Sequence, residues 1–166
     1  MSDGPPAAGV YIGIDPGTKC GWAVLSEDGA RLASGVWDLA SKRHEGGGMR
    51  YVRARRYLAE LLDSFDVAAV AYEEVAYEEV RRHRGTSAAH VYGGIVAVVS
   101  AECEARGIPY SGRPVGSVKR HATGKGNAGK PAMIGAALRR WGHVVKDDNE
   151  ADGLWIADHL RAELAP

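Results

Sequence analysis

The sequence predicts an α/β domain with a mixed five-stranded sheet flanked by helices, and three observations predict it. Three short apolar runs rich in β-formers, Val10–Asp15, Gly21–Leu25 and Arg31–Trp37, follow one another with only brief turns between them, so they should pair antiparallel. Beyond residue 49, apolar runs alternate with stretches of helical periodicity, the pattern of parallel strands joined by helical crossovers. Finally, 166 residues that are 45% hydrophobic and 25% charged can bury one real core and need no second domain. Residues 10–162 form that single domain, and residues 1–9, rich in Gly, Pro and Ala, read as a frayed tail.

In chain order, the first strand ends on a carboxylate, Asp15, and breaks at Pro16-Gly17 before the second begins. A carboxylate at a strand end is fixed by the sheet yet open at its edge, which suits a metal ligand or a base; capping the turn is the plainer role for it. Glu27-Asp28-Gly29 supplies the next hairpin turn. Residues 41–48 carry Lys42, Arg43, His44 and three glycines and read as a loop. From Met49, the residues Tyr51, Val52, Leu58, Leu61, Leu62 and Phe65 recur at helical spacing, with Arg50, Arg53, Arg55 and Arg56 forming a basic outer face. Val67–Glu74 then reads as a central strand parallel to the first, and it too ends in acid. If the two strands are neighbours, Asp15 and Glu73 meet at one end of the sheet, where mutual repulsion calls for a divalent cation between them. Glu74 should point to the opposite face.

Arg81-Arg82-His83-Arg84 reads as a basic cluster in a loop, followed by a long helix over 87–106 whose small residues allow close packing. A short strand over 108–111 completes the sheet. Pro131 suits the first turn of a helix that continues through Met133, Ile134, Ala137, Leu138 and Trp141. In the last helix, Asp148 or Asn149 shares a face with Asp152, while Asp147 and Glu150 have the spacing of a capping pair. Capping accounts for Asp147 and Glu150. It does not account for Asp152, which lies deeper in the helix.

Lys plus Arg equals Asp plus Glu at 21 each, so net charge steers the protein toward neither nucleic acid nor membrane. Its distribution does. Between Glu104 and Asp147 there is no acidic residue, whereas Arg106, Arg113, Lys119, Arg120, Lys125, Lys130, Arg139, Arg140 and Lys146 all fall there. Such a segment is the expected footprint of a phosphate backbone. Within it, Gly124 to Lys130 has the spacing of a nucleotide-binding P-loop, but Pro131 stands where a Ser or Thr should hold the metal and no buried strand leads in. Two cysteines, Cys20 and Cys103, are too few for a disulfide framework, which favours a cytoplasmic setting. The apolar runs are too short to span a bilayer, so no membrane partner is expected.

Four stretches taken together resemble the RuvC family of Holliday junction resolvases: Ile12-Gly13-Ile14-Asp15-Pro16-Gly17-Thr18, Ala71-Tyr72-Glu73-Glu74-Val75, Val118-Lys119 with Thr123 to Lys130, and Asn149-Glu150-Ala151-Asp152-Gly153-Leu154. The resemblance runs in order from about Val10 to Leu160. It implies a ribonuclease H-like fold, a homodimer on a four-way DNA junction or other branched DNA, and metal-dependent hydrolysis of one phosphodiester per subunit. Two Mg²⁺ ions per active site are implied, with Mn²⁺ as a substitute. Carried over by position, Asp15 bridges both metals, Glu73 binds one and Asp152 the other, and Lys119 and Lys130 stand near the scissile phosphate. Arg81, Arg82, Arg84, Tyr77, Arg113, Arg120 and Lys125 join those two lysines as expected DNA contacts.

Two positions depart from the family pattern. Asn149 stands where relatives often place Asp or His, with Asp148 as a neighbouring substitute, so catalytic and ligand roles are expected of both positions. Ala76 replaces an aromatic wedge, leaving Tyr77 to stack on an opened junction. Rival readings are a nuclease for flaps or other branched DNA, a junction-binding module without catalysis, and an actin-like ATP-binding protein, which needs two such domains.

Overall fold

Burial of the first strand on both faces sets the architecture. In the computed structural model, which describes residues 9–166, β1 (Val10–Asp15) is buried at every position. The tail expected over 1–9 lies, apart from Gly9, outside the described residues. β1 pairs antiparallel with β2 (Lys19–Leu25), which pairs antiparallel with β3 (Arg31–Asp38). On its other side β1 runs parallel to β4 (Val67–Glu74), and β4 parallel to β5 (Tyr110–Pro114), giving the order β3-β2-β1-β4-β5. The helices are α1 (Met49–Ser64), α2 (Tyr77–Arg84), α3 (Thr86–Arg106), α4 (Val115–Thr123), α5 (Lys130–Trp141) and α6 (Asp148–Leu164).

Strand alternation divides the core in two. Ile12, Ile14, Cys20, Val24 and Val70 point to one face, where Leu58 and Leu62 of α1 and Ile95 and Val99 of α3 cover them. Tyr11, Ala69 and Ala71 point to the other, against Met133 of α5 and Trp155, Ile156 and Leu160 of α6. Each fully buried Leu or Ile contributes about 1.5–3 kcal/mol. Both faces of β1 are thus covered, as the parallel half of the sheet requires.

The face toward α6 is unusually flat. A Cβ on Gly13 would overlap the carbonyl oxygen of Gly153 and the backbone nitrogen of Ala157, and one on Gly21 would overlap the backbone of Asn149. Gly153 in turn lies against the backbone of Trp22. The helix backbone therefore rests directly on the strand backbones of β1 and β2.

Several sequence expectations are corrected. Arg81, Arg82, His83 and Arg84 are not in a loop: they form the last turn of α2, where cations complement the exposed carbonyls of a helix end. An unpredicted helix, α4, carries Lys119 and ends at Gly124, which takes a left-handed φ of 83°. The last strand is Tyr110–Pro114, displaced from 108–111 because its register is set by pairing with Val70–Glu74. The outer face of α1 is less basic than its sequence suggests. Arg53 is buried, with its guanidinium donating to Glu45 at 2.7 Å and to the Ala40 carbonyl at 2.9 Å. Arg113 is also buried and is committed to Glu163 and to Ser111 Oγ, so it does not present a free cation to a phosphate.

Gly13→Ala is expected to destabilise the fold by about 3 kcal/mol, because only backbone surrounds the new methyl group. Gly46→Ala, where a Cβ meets nothing, should change stability by less than about 0.5 kcal/mol in the same urea titration.

Candidate active site

Register brings the acids together. Gly13 pairs with Ala71 and Ile14 with Tyr72, so the next residues, Asp15 and Glu73, emerge side by side at the ends of two parallel strands. By alternation both project toward α6, and the contact of Gly13 with Gly153 brings Asp152 down beside them. One carboxylate oxygen from each of Asp15, Glu73 and Asp152 lies within 4.8 Å of the other two. Glu74 falls on the opposite face against Gly112, as alternation requires.

This closeness is costly when the site holds only carboxylates. Burial pushes Asp15 well above the usual carboxylate range, and the charge of Glu73, a hydrogen bond with Glu73 and the charge of Asp152 push it further. Asp152 is pushed up to about 7 by burial first, then by Glu73 and Asp148, while Lys119 and Arg84 pull the other way. Three hard oxygen donors at this separation fit a hard divalent cation, which would remove the repulsion that holds the protons on.

The triad opens onto a cleft of about 590 Å³ lined also by Lys119, Lys130, Asp148, Asn149 and Arg84. Lys119 comes from α4 and Lys130 from the start of α5, opposite the strand ends. Lys130 Nζ lies 3.5 Å from Asp148. The Asn149 amide donates to Asp147 at 3.4 Å, while Asp147 also accepts the Glu150 N–H at 3.1 Å as the N-cap of α6. The capping pair is thus made in one direction only, since the Glu150 carboxylate turns elsewhere.

Of the expected DNA contacts outside the cleft, Arg81, Arg82, Arg120 and Lys125 are exposed on α2, on α4 and in the loop after it. Arg81 is paired with Glu78 at 2.7 Å. Tyr77 is 43% exposed at the start of α2, edge-on to the His90 ring at 6.0 Å. Sequence reasoning missed Tyr92, Glu79 and His83. The Tyr92 hydroxyl accepts the Val75 N–H and donates to the Glu73 carbonyl, each at 2.9 Å, clamping the strand end that presents Glu73. Glu79 and His83 line the cleft from α2, a placement legible only once residues 77–84 are helical. Cys20 and Cys103 are buried free thiols whose burial pushes both up, Cys103 to about 11, so they pack rather than react.

The family model for crossover junction endodeoxyribonuclease RuvC matches residues 11–157. The chain belongs to the RuvC family. A RuvC relative from Anaeromyxobacter dehalogenans is 31% identical over 157 residues, covering 89% of this chain and 78% of the relative. One from Nitratidesulfovibrio vulgaris is 33% identical over 141 residues, covering 80% and 79%. Among solved structures, T. thermophilus RuvC in complex with Holliday junction substrate superposes with a TM-score of 0.75 at 23% identity, over 93% of this chain and 98% of that one. A yeast mitochondrial Holliday junction resolvase superposes with a TM-score of 0.59 at 16% identity, over 96% and 82%. The fold is the ribonuclease H-like fold of these resolvases, and the RuvC family is metal-dependent, in keeping with the acidic triad. Among the described residues no helix is long and apolar enough to cross a membrane.

The raised carboxyl of Asp152 gives a signed pH dependence. Protonation is favoured in the fold, so the stability it contributes is complete below about pH 4 and is lost as pH rises through about 7. In EDTA, Asp152→Asn should therefore gain on the wild type from pH 4 to pH 8, reaching on the order of 2 kcal/mol by thermal denaturation. A difference that stays flat across that range would contradict the electrostatic account.

Proposed function

We propose that this chain is a Holliday junction resolvase, a structure-selective endonuclease that cuts four-way DNA junctions by paired, symmetric phosphodiester hydrolysis. The convergence of Asp15, Glu73 and Asp152 at the floor of a cleft with lysines on its wall carries this reading. Asp15, Glu73 and Asp152, with Asn149 or Asp148 beside them, would hold two Mg²⁺ ions, with Mn²⁺ as a substitute. When bound, such ions neutralise the scissile phosphate and acidify the attacking water.

The chain's own residues do the rest. Lys119 and Lys130 offset charge that builds on the phosphate oxygens in the transition state. Asp148 holds Lys130 near the cleft through their ion pair. The exposed cations of α2 and of the α4–α5 segment, Arg81, Arg82, Arg84, Arg120 and Lys125, track the backbones of the junction arms. Tyr77 supplies an aromatic face for a base unstacked at the crossover, in place of the wedge that Ala76 lacks. A homodimer sets two such clefts on one junction, which is what symmetric nicking requires. The two buried free thiols suit a cytoplasmic setting for this work.

Cleavage of a labelled synthetic four-way junction, beside a flap and a plain duplex, tests the reading in Mg²⁺ and in EDTA. Paired symmetric nicks should appear only on the junction and only with metal. Equal cutting of the flap would make this a general branched-DNA nuclease, and tight binding without a cut would make it a non-catalytic module. Asp15→Asn should lower the cleavage rate on the order of 10³-fold while junction binding is kept or tightened. Lys125→Ala should weaken junction binding and reduce the slope of log K against log salt by about 1.

A further inference from the structure

Glu150 lies two residues before Asp152 and one after Asn149, yet it is only 3% exposed and does not line the cleft. A carboxylate that deep is strongly disfavoured unless its oxygens are satisfied. Here they are. Oε2 accepts the Lys146 N–H at 2.7 Å, and Oε1 accepts from Ser34 Oγ at 3.0 Å and pairs with His143 Nε2 at 3.0 Å. Ser34 is held in turn by Arg31 Nε at 2.6 Å. Burial pushes the Glu150 carboxyl up, but the bonds from Lys146, His143 and Ser34 outweigh it and leave the group below its usual range. One side chain thus joins the first turn of α6, the middle of β3 and the connection from α5.

That turn leads directly into Asp152, the acid with the least local support. Asp15 and Glu73 are held by strand pairing, and Glu73 also by the Tyr92 clamp. Asp152 is brought in by α6 against the repulsion of Glu73 at the end of β4. Glycine contacts at Gly21 and Gly153, with Ala151 and Leu154 buried beside them, fix how closely α6 approaches the sheet. Apolar packing is non-directional, however, and does not by itself set the rotation and sliding of the helix's first turn. A directional three-way hydrogen bond from β3 and the α5–α6 connection opposes both.

We propose that Glu150 is a positioning residue for the metal site, its buried carboxylate fixing the first turn of α6 so that Asp152 and Asn149 present their oxygens to the cation. The role rests on the reading of Asp15, Glu73 and Asp152 as cation ligands. It differs from helix capping, because the carboxylate bonds to β3 and to the loop before the helix rather than back to the N-cap backbone.

The test measures Mn²⁺ binding to the full chain without DNA, by electron paramagnetic resonance, beside thermal melts in EDTA and in Mn²⁺. Glu150→Ala should weaken Mn²⁺ binding about tenfold or more, the usual cost of losing a residue that orients a ligand. Glu150→Gln, which keeps an acceptor for the Lys146 N–H, should stay within about threefold of the wild type, and Ser34→Ala should lose about threefold. The rise in Tm on adding Mn²⁺ should shrink in the same order. Unchanged Mn²⁺ affinity in Glu150→Ala, with only a lower Tm in EDTA, would reduce Glu150 to a structural cap and overturn the proposal. Should Glu150→Ala not fold, wild-type affinity in Ser34→Ala overturns it equally. Asp152→Asn is the reference: if it binds Mn²⁺ as the wild type does, the assignment of the triad fails first.

Discussion

The site depends on the absence of side chains between α6 and the sheet. With Gly13 and Gly21 on the strands and Gly153 on the helix, backbone meets backbone, and α6 sits close enough for Asp152 to reach the ends of β1 and β4. A single methyl group at Gly13 would push the helix outward and withdraw one carboxylate from the other two. Rigidity follows from the same contact, since a backbone resting on a backbone has no rotamers through which to yield. Packing on the far face, by α1 and α3, keeps the strands themselves from bending away.

On that frame the fold accepts an electrostatic penalty at the place where chemistry is done. Asp15 and Asp152 are buried beside Glu73 and hold their protons more tightly than free carboxyls do. Elsewhere the buried charges are compensated. Asp158 is held by His121 at 2.8 Å and Arg161 at 2.9 Å, Arg113 by Glu163, and Glu150 by three donors. An uncompensated acidic cluster amid so many paired charges is the physical mark of a site completed by a cation. Cations of the chain approach it from two sides, Arg84 from α2 and Lys119 from α4, each favouring the ionised form of Asp152 without forming a direct ion pair within the described residues.

The polarisation of charge along the chain becomes a polarisation in space only in part. Lys119, Lys125 and Lys130 lie around the cleft or on the loop beside it, as an acid-free segment suggests. Arg113, from the same segment, is turned inward to Glu163, and Arg140 reaches toward Asp158. Arg113 can be buried this way because its planar guanidinium bonds to more than one acceptor while its stem packs, whereas Arg140 stays exposed. Charge counted along a sequence therefore overstates the charge offered to a phosphate backbone.

Much of this protein was written in local sequence. Two apolar runs ending in Asp15 and Glu73 identified their strands, and alternation alone placed Glu73 and Glu74 on opposite faces, because a strand's period of two is set by backbone geometry. Asp152 stood out because capping could not explain it. Helix α4, the helical setting of Arg81 to Arg84 and the inward turn of Arg113 were not legible, since each rests on contacts with residues distant in the chain. Val80 is the one buried anchor of α2, and Val118 the one buried anchor of α4. The Tyr92 clamp and the Glu150 network were decided by tertiary structure alone. A tyrosine eighteen or so residues past a strand, or a glutamate inside a helix's first turn, has no pattern of its own; its meaning comes from the strand or loop that folding brings against it.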